Sequence, residues 1–111
     1  MTPEGTLVVL ITAASTDEAT IIGRALVEER LAACVNVVPA IRSFFWWDGR
    51  IREADEALMV VKTRRERYEA LEARVRALHS YSVPEVLALP VECGFPGYLA
   101  WVRESVHAEG R

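Results

Sequence analysis

The chain has 111 residues, a formal net charge of −3 at pH 7 and a hydrophobic share of 51%. This length fits a single domain over residues 1–111. The acidic balance argues against a nucleic-acid partner, because phosphate binding needs a basic surface. The hydrophobic share exceeds the usual ~45–50%, so we expect either a rich core or an apolar surface that another copy of the chain covers.

The first predicted elements are a strand and a helix. Residues 7–11 are all apolar, which is typical of a strand buried on both faces. Ser15 and Glu18 form a capping box, which predicts that a helix begins there. We expect this helix to end near Ala33. Its apolar positions follow helical spacing and are Ala19, Ile22 and Leu26.

Two long strands joined by a tight turn are predicted next. The first is Cys34–Trp47, and Pro39 inside it requires an edge position or a bulge, because proline lacks the N–H that a ladder needs. Asp48 and Gly49 are typical of a two-residue type I′ turn, after which residues 51–62 return as the partner strand. This turn predicts three cross-strand pairs, of which the last is an ion pair: Trp46 with Ile51, Phe44 with Glu53, and Arg42 with Asp55.

A second helix, a fourth strand and a third helix complete the predicted order. Thr63 and Glu66 form a second capping box. The apolar positions after it have helical spacing and are Tyr68, Leu71, Val75 and Leu78. Residues 83–91 are expected to form the fourth strand, Pro96 to lie in the first turn of the last helix, and Gly110 to stop that helix. The expected apolar face of the last helix comprises Tyr98, Trp101, Val102 and Val106.

The order βαββαβ followed by a helix predicts an α+β fold, a ferredoxin-like antiparallel sheet with an extra C-terminal helix. Two helices would cover one face of the sheet, and a wet second face would alternate polar with apolar residues. The predicted strands do not alternate, since residues 7–11, 58–61 and 86–89 are apolar throughout. We therefore expect an apolar second face that self-association covers, because a large exposed apolar patch is a liability.

The cysteines and the N-terminal residues bear on the compartment. Cys34 and Cys93 are far apart in the sequence, and residues 7–14 are too few to span a bilayer. The first residues lack the basic region of a secretory leader. We expect a cytoplasmic protein with reduced thiols and no membrane partner.

Three ordered motifs resemble those of the CutA divalent-cation tolerance family. Residues 26–39 (LVEERLAACVNVVP) resemble its first signature, and residues 46–51 (WWDGRI) with 56–63 (EALMVVKT) resemble the second. Residues 79–85 (HSYSVPE) resemble the third, which usually has proline where this chain has Ser80. The replacement is expected to loosen the turn. The resemblance covers nearly the whole chain.

The resemblance implies a ferredoxin-like homotrimer with sheets packed edge to edge around a threefold axis. It also implies a part in tolerance of divalent metals, with copper or another divalent cation bound weakly and not required for folding. The family's trimer is similar to that of PII signalling proteins, which hold small ligands between subunits. Two alternatives therefore stay open: a PII-like sensor of an anionic ligand and a structural trimeric scaffold.

Cys34 and His79 are the candidate metal ligands at motif positions. Copper and zinc favour thiolate and imidazole, but a tight site needs three or four such ligands, and neither C-x-x-C nor H-x-x-x-H occurs in the sequence. The alternative for Cys34 is a small buried residue at the start of a strand. The alternative for His79 is a cap at the end of the second helix.

Other motif residues have two interpretations. Lys62, Tyr81 and Glu85 are expected either to line a ligand cleft between subunits or to make structural hydrogen bonds. Asp55 and Glu56 are expected to be solvated or paired acids, with a hard-cation site across a trimer axis as the alternative.

Four consecutive aromatic residues precede the turn of the hairpin, namely Phe44, Phe45, Trp46 and Trp47. We expect them to pack against a neighbouring subunit rather than to stack on bases, because aromatic residues are favoured at protein interfaces. The sequence contains neither a recognisable nucleophilic triad nor a glycine-rich phosphate loop. We therefore expect the protein not to be an enzyme.

Overall fold

The structure is a computed structural model and describes residues 5–107. Within this range the chain forms four strands and three helices, with a 3₁₀ turn at Arg65–Arg67 before the second helix. The strands are β1 (Thr6–Ala13), β2 (Cys34–Trp47), β3 (Arg50–Arg64) and β4 (Val86–Pro90). The helices are α1 (Thr16–Glu28), α2 (Tyr68–Leu78) and α3 (Pro96–Ser105).

The four strands form one antiparallel sheet in the order β2-β3-β1-β4. β1 lies in the centre because it pairs with β3 on one side and with β4 on the other. This is the strand order of a split βαβ unit, and it confirms the predicted ferredoxin-like α+β fold with an added C-terminal helix.

Both α1 and α2 pack on the same face of the sheet, as predicted. The fully buried residues of β1 alternate along the strand, and one of them, Val9, lies opposite Val61 in the ladder. These strand residues form one apolar cluster with Ile22 and Leu26 of α1 and with Leu71 of α2. Burying each of these side chains stabilises the fold by ~1.5–3 kcal/mol, so this cluster is the main core.

The other face of the sheet, which we call the open face, carries the intervening residues. Leu10 of β1 lies between Val60 of β3 and Leu87 of β4. Leu87 and Leu89 remain 57% and 51% exposed, and Val38 of β2 is 39% exposed. The sequence predicts strands whose residues do not alternate between polar and apolar. The open face is accordingly an apolar surface of the described chain.

The hairpin has the predicted register. Asp48 and Gly49 have φ values of 54° and 75°, as a type I′ turn requires. The pairs follow the prediction: Trp46 with Ile51, Phe44 with Glu53, and Arg42 with Asp55. The Arg42 Nε atom lies 3.1 Å from Asp55 Oδ1. The register shifts between Val38 and Ile41, which confirms the bulge expected at Pro39.

The ends of several elements differ from the predictions. Ser15 does cap α1, because its Oγ accepts a 3.1 Å hydrogen bond from the Glu18 N–H, but α1 ends at Glu28 and not near Ala33. β4 is shorter than residues 83–91. The second capping box is wrong: Thr63 lies inside β3, and its hydroxyl donates a 2.7 Å hydrogen bond to the carbonyl of Leu31.

The third helix starts at Pro96, as expected, but its buried face differs from the prediction. Leu99, Val102 and Val106 are buried, whereas Tyr98 and Trp101 are 40% and 44% exposed. Gly110, expected to stop the helix, lies outside the described residues. Among residues 5–107, none of the helices has the length and apolar character needed to cross a membrane.

Candidate functional site

Cys34 is the first residue of β2, and it lies on the open face. Its neighbour Val35 packs with the main core, so the side chain of Cys34 points to the opposite side. The thiol is free and half-buried, and its Sγ lies 3.8 Å from Asn36 Oδ1. The Lys62 ammonium donates a hydrogen bond to the same Asn36 oxygen.

Tyr98 of α3 completes the surroundings of Cys34. Burial raises the pKa of Tyr98, and its interaction and hydrogen bond with Cys34 raise that pKa further. α3 therefore lies beside the Cys34 end of the open face, where Val102 and Val106 form a second apolar cluster with Ala33. A thiol, an amide oxygen and a phenol thus lie together at this end of the sheet.

His79 directly follows Leu78, the last residue of α2, and its side chain is fully buried. Its Nε2 donates a 2.7 Å hydrogen bond to the carbonyl of Thr12, and its Nδ1 accepts a 3.1 Å hydrogen bond from the backbone N–H of Tyr81. Both ring nitrogens are therefore engaged by the backbone, in the neutral tautomer that carries its proton on Nε2. A carboxylate oxygen of Glu18 lies 3.6 Å from Nδ1.

The structure does not bring Cys34 and His79 together. Cys34 lies opposite Lys62, which pairs with Val8 near the start of β1. His79 contacts Thr12, at the other end of the same strand. Among residues 5–107 there is also no group of three or more histidine, cysteine, aspartate or glutamate side chains placed to hold a metal ion.

Tyr81 and Glu56 form a second polar pair near His79. The Tyr81 hydroxyl donates a 2.7 Å hydrogen bond to Glu56 Oε2, and the two rings of Tyr81 and His79 lie with centroids 4.7 Å apart. Burial, together with the hydrogen bond and the charge of Glu56, raises the pKa of Tyr81 to about 12. The phenol therefore stays protonated at neutral pH and acts as a hydrogen-bond donor.

Glu56 also lines an open cavity of about 470 Å³ beside the bulge of β2. The residue is only 8% exposed, although it carries a carboxylate. The remaining wall comes from the segment before α1 and from the two strands of the hairpin, with residues Ala14, Ser15, Pro39, Ala40, Ile41, Arg42 and Asp55. The cavity thus offers one guanidinium and two carboxylates to a small polar ligand.

Comparison with known proteins identifies the family. The family model of the CutA1 divalent ion tolerance protein matches residues 7–105. The chain belongs to the CutA1 family. The divalent-cation tolerance protein CutA of Thermus thermophilus is 51% identical over 88% of this chain and 95% of its own length. Its counterpart in Archaeoglobus fulgidus is 47% identical over the same shares of the two chains.

Solved CutA1-family structures have the same fold. The divalent cation tolerance protein (Cut A1) of Thermus thermophilus superposes with a TM-score of 0.89 at 50% identity, covering 90% of this chain and 97% of that one. The structure of CutA1 from Oryza sativa gives a TM-score of 0.91 at 38% identity, over 95% and 96% of the two chains.

Within this CutA1-family chain, the proposed cleft residues lie apart. Lys62 lies on the open face near Cys34, whereas Tyr81 lies near the other end of β1. Glu85 precedes β4 and is exposed. A single cleft with all three residues therefore requires more than one copy of the chain.

The aromatic residues of the hairpin are exposed. β1 pairs with β3 only as far as Ala57, so the hairpin extends beyond the four-stranded part of the sheet. The exposed fractions are 64% for Phe44, 40% for Phe45, 70% for Trp46 and 45% for Trp47. Monomeric proteins rarely leave such a cluster uncovered, so its exposure supports a contact with another chain.

Two residues of the site have roles that sequence reasoning missed. Glu56 was expected to be solvated or paired, and it is buried against Tyr81. Glu18 was recognised only as part of a capping box, and it also accepts two hydrogen bonds from Ser80. The second-signature position of Glu56 was the only sequence signal for either role.

Proposed function

We propose that this CutA1-family chain works as a homotrimer in the tolerance of divalent cations and binds copper or another divalent cation weakly. The observation that carries the proposal is the open face, where the candidate thiol of Cys34 lies on the same side of the sheet as Leu87 and Leu89. A second copy that covers those leucines would also enclose the surroundings of the thiol. The names of the Thermus and Archaeoglobus relatives supply the link to divalent cations.

We propose a trimer because the isolated chain exposes apolar side chains in two places. Leu87 and Leu89 on the open face and Phe44 and Trp46 on the hairpin are each more than half exposed. These residues lie on two different parts of the surface, so an isolated copy would expose both. A closed ring of three copies, in which one surface meets the other, would cover both without leaving an open end.

Weak binding is proposed from the ligand count. Cys34 supplies a soft donor, which suits copper and zinc. His79 would supply a second donor only by releasing the carbonyl of Thr12 or the N–H of Tyr81. The main core consists of apolar side chains, so we propose that folding does not need the cation. We also propose a cytoplasmic site of action and assign no chemical reaction to the protein.

The metal proposal is tested by isothermal titration calorimetry with zinc, which has no redox chemistry with thiols. Wild type, Cys34→Ala, His79→Ala and Cys93→Ala are compared at equal concentration. Cys93 is a matched control, because it is an exposed free thiol outside the family motifs. We expect Cys34→Ala to lose most of the binding heat and Cys93→Ala to keep it. Equal heats from wild type and Cys34→Ala would remove Cys34 from the proposal.

A second candidate function, sensing of a small anionic ligand, would use the cavity of about 470 Å³ beside Glu56. Arg42 is the cationic residue of its lining, and an anion would have to displace Asp55, whose Oδ1 lies 3.1 Å from Arg42 Nε. A thermal-shift screen with nucleotides and anionic metabolites tests this function, with Arg42→Gln as the binding-deficient variant. A rise in the melting temperature of wild type that Arg42→Gln lacks would support it. A flat response across the screen would count against it.

A further inference from the structure

Glu18 connects three segments of the chain that are distant in sequence. Its Oε1 accepts hydrogen bonds from the backbone N–H of Ala14 at 3.0 Å and from the hydroxyl of Ser80 at 3.1 Å. Its Oε2 accepts a 2.7 Å hydrogen bond from the backbone N–H of Ser80 and lies 3.6 Å from His79 Nδ1. One carboxylate thus joins the end of β1, the first turn of α1 and the connection between α2 and β4.

The hydrogen bonds to Glu18 are of the strong, charge-assisted kind. The side chain of Glu18 is only 16% exposed, so water competes little for its oxygens. Burial alone would raise the pKa of Glu18, but the hydrogen bonds from Ser80 and Ala14 hold it below its usual value. The carboxylate is therefore ionised at neutral pH and able to accept all three hydrogen bonds.

Ser80 occupies the position where the resemblance described from the sequence would place proline. Proline has neither a backbone N–H nor a hydroxyl, so it could donate neither of the two hydrogen bonds that Ser80 makes to Glu18. The serine was expected to loosen the turn. That expectation stays a prediction, but the two hydrogen bonds to Glu18 hold Ser80 in place in this chain.

We propose that Glu18 and Ser80 form a latch that holds the connection 79–85 against β1 and α1 and thereby positions Tyr81 against Glu56. Tyr81, the next residue of the connection, is held by its N–H on His79 and its hydroxyl on Glu56. The latch goes beyond the proposed function, because its contacts all lie within one chain and need neither a trimer nor a cation.

Amide hydrogen exchange, followed residue by residue in the full-length protein, tests the latch. Glu18→Gln keeps the size of the side chain but replaces one acceptor oxygen with a donor, so one of its present hydrogen bonds becomes a clash of donors. We expect exchange across residues 79–85 to become about tenfold faster. Ser80→Ala removes only the hydroxyl, and we expect about a threefold change. The double variant is expected to change exchange by less than the product of the two factors.

Two control variants separate the latch from a general loss of stability. Glu28→Gln alters an exposed glutamate of the same helix, which lies 3.9 Å from Arg24, and Ser82→Ala alters an exposed serine of the same connection. We expect both to leave exchange at 79–85 unchanged. The proposal is overturned if Glu18→Gln leaves exchange there at the wild-type rate, or accelerates it equally in the core of β1.

Discussion

Replacing Leu87 with serine is expected to weaken self-association of the chain. Leu87 lies on the open face, opposite Leu10, and is 57% exposed in the isolated chain. Complete burial of a leucine side chain is worth ~1.5–3 kcal/mol. Because about half of this burial remains to be gained, contact with another copy would supply ~0.8–1.5 kcal/mol for each Leu87.

The effect is multiplied in a closed trimer, because the substitution is present three times. The total loss is then about 2.3–4.5 kcal/mol, which corresponds to about a 50- to 2,000-fold increase in the dissociation constant of the assembly. The folding of each copy should change little, since Leu87 lies outside the main core. The variant should therefore dissociate at concentrations where the wild type stays assembled.

Sedimentation velocity over a range of concentrations measures this change. Ile21→Ser is a matched control, because Ile21 is 65% exposed and lies on α1, away from the open face. We expect Leu87→Ser to shift to smaller species on dilution and Ile21→Ser to follow the wild type. The reasoning is refuted if Leu87→Ser sediments like wild type at every concentration, or if Ile21→Ser shifts as far.

Two further predictions concern buried polar groups. Thr63→Val should lower the free energy of unfolding by ~1–3 kcal/mol, because the carbonyl of Leu31 loses its donor. Urea unfolding measures this change, and Thr63→Ser, which keeps the hydroxyl, should show most of the wild-type stability. An unchanged urea midpoint for Thr63→Val would contradict the role of this hydrogen bond. Glu56→Gln should lower the pKa of Tyr81 from about 12, because the carboxylate charge that opposes ionisation is removed. In wild type the stability that Tyr81 contributes is fully present below pH ~10 and is lost as the pH rises towards 12. Tyrosinate absorbance during alkaline titration measures this change in pKa, and the Tyr81→Phe variant shows which part of the absorbance comes from Tyr81. A Tyr81 titration curve that is the same in Glu56→Gln as in wild type would contradict the explanation.

The hairpin was predictable because local chemistry determines its geometry. Asp48 and Gly49 tolerate the positive φ that a type I′ turn requires, and a two-residue turn leaves one register for the strands that follow. Pro39 likewise predicts the bulge, because proline has no backbone N–H to donate to the hydrogen bonds of the sheet. Each of these signals acts over a few residues, so the sequence alone was sufficient.

The failed predictions concern contacts between distant segments. Thr63 has the local pattern of a helix cap, but pairing with Leu7 and a hydrogen bond to Leu31 keep it in β3. Ser80 and Glu18 are separated by 62 positions, and no spacing rule connects them. Propensity and capping patterns are weak compared with tertiary contacts of this kind.

The candidate site was predictable only in part, for the same reason. The motifs identified Cys34, His79 and Tyr81, but the topology places Cys34 at the other end of β1 from the other two. Strand order and strand direction determine which motif residues lie close together, and the residue types of the motifs do not specify either. Trp101 was also predicted incorrectly. Its spacing from the other apolar residues of α3 is typical of a buried helix face, yet its side chain is exposed.

We expect further copies of the chain to cover the open face and the aromatic hairpin. Multi-angle light scattering at micromolar concentration tests this expectation most directly, because it reports mass without a model of shape. We expect a particle of about 37 kDa, which is three times the 12.4 kDa of one chain. A stable particle of 12.4 kDa would contradict it.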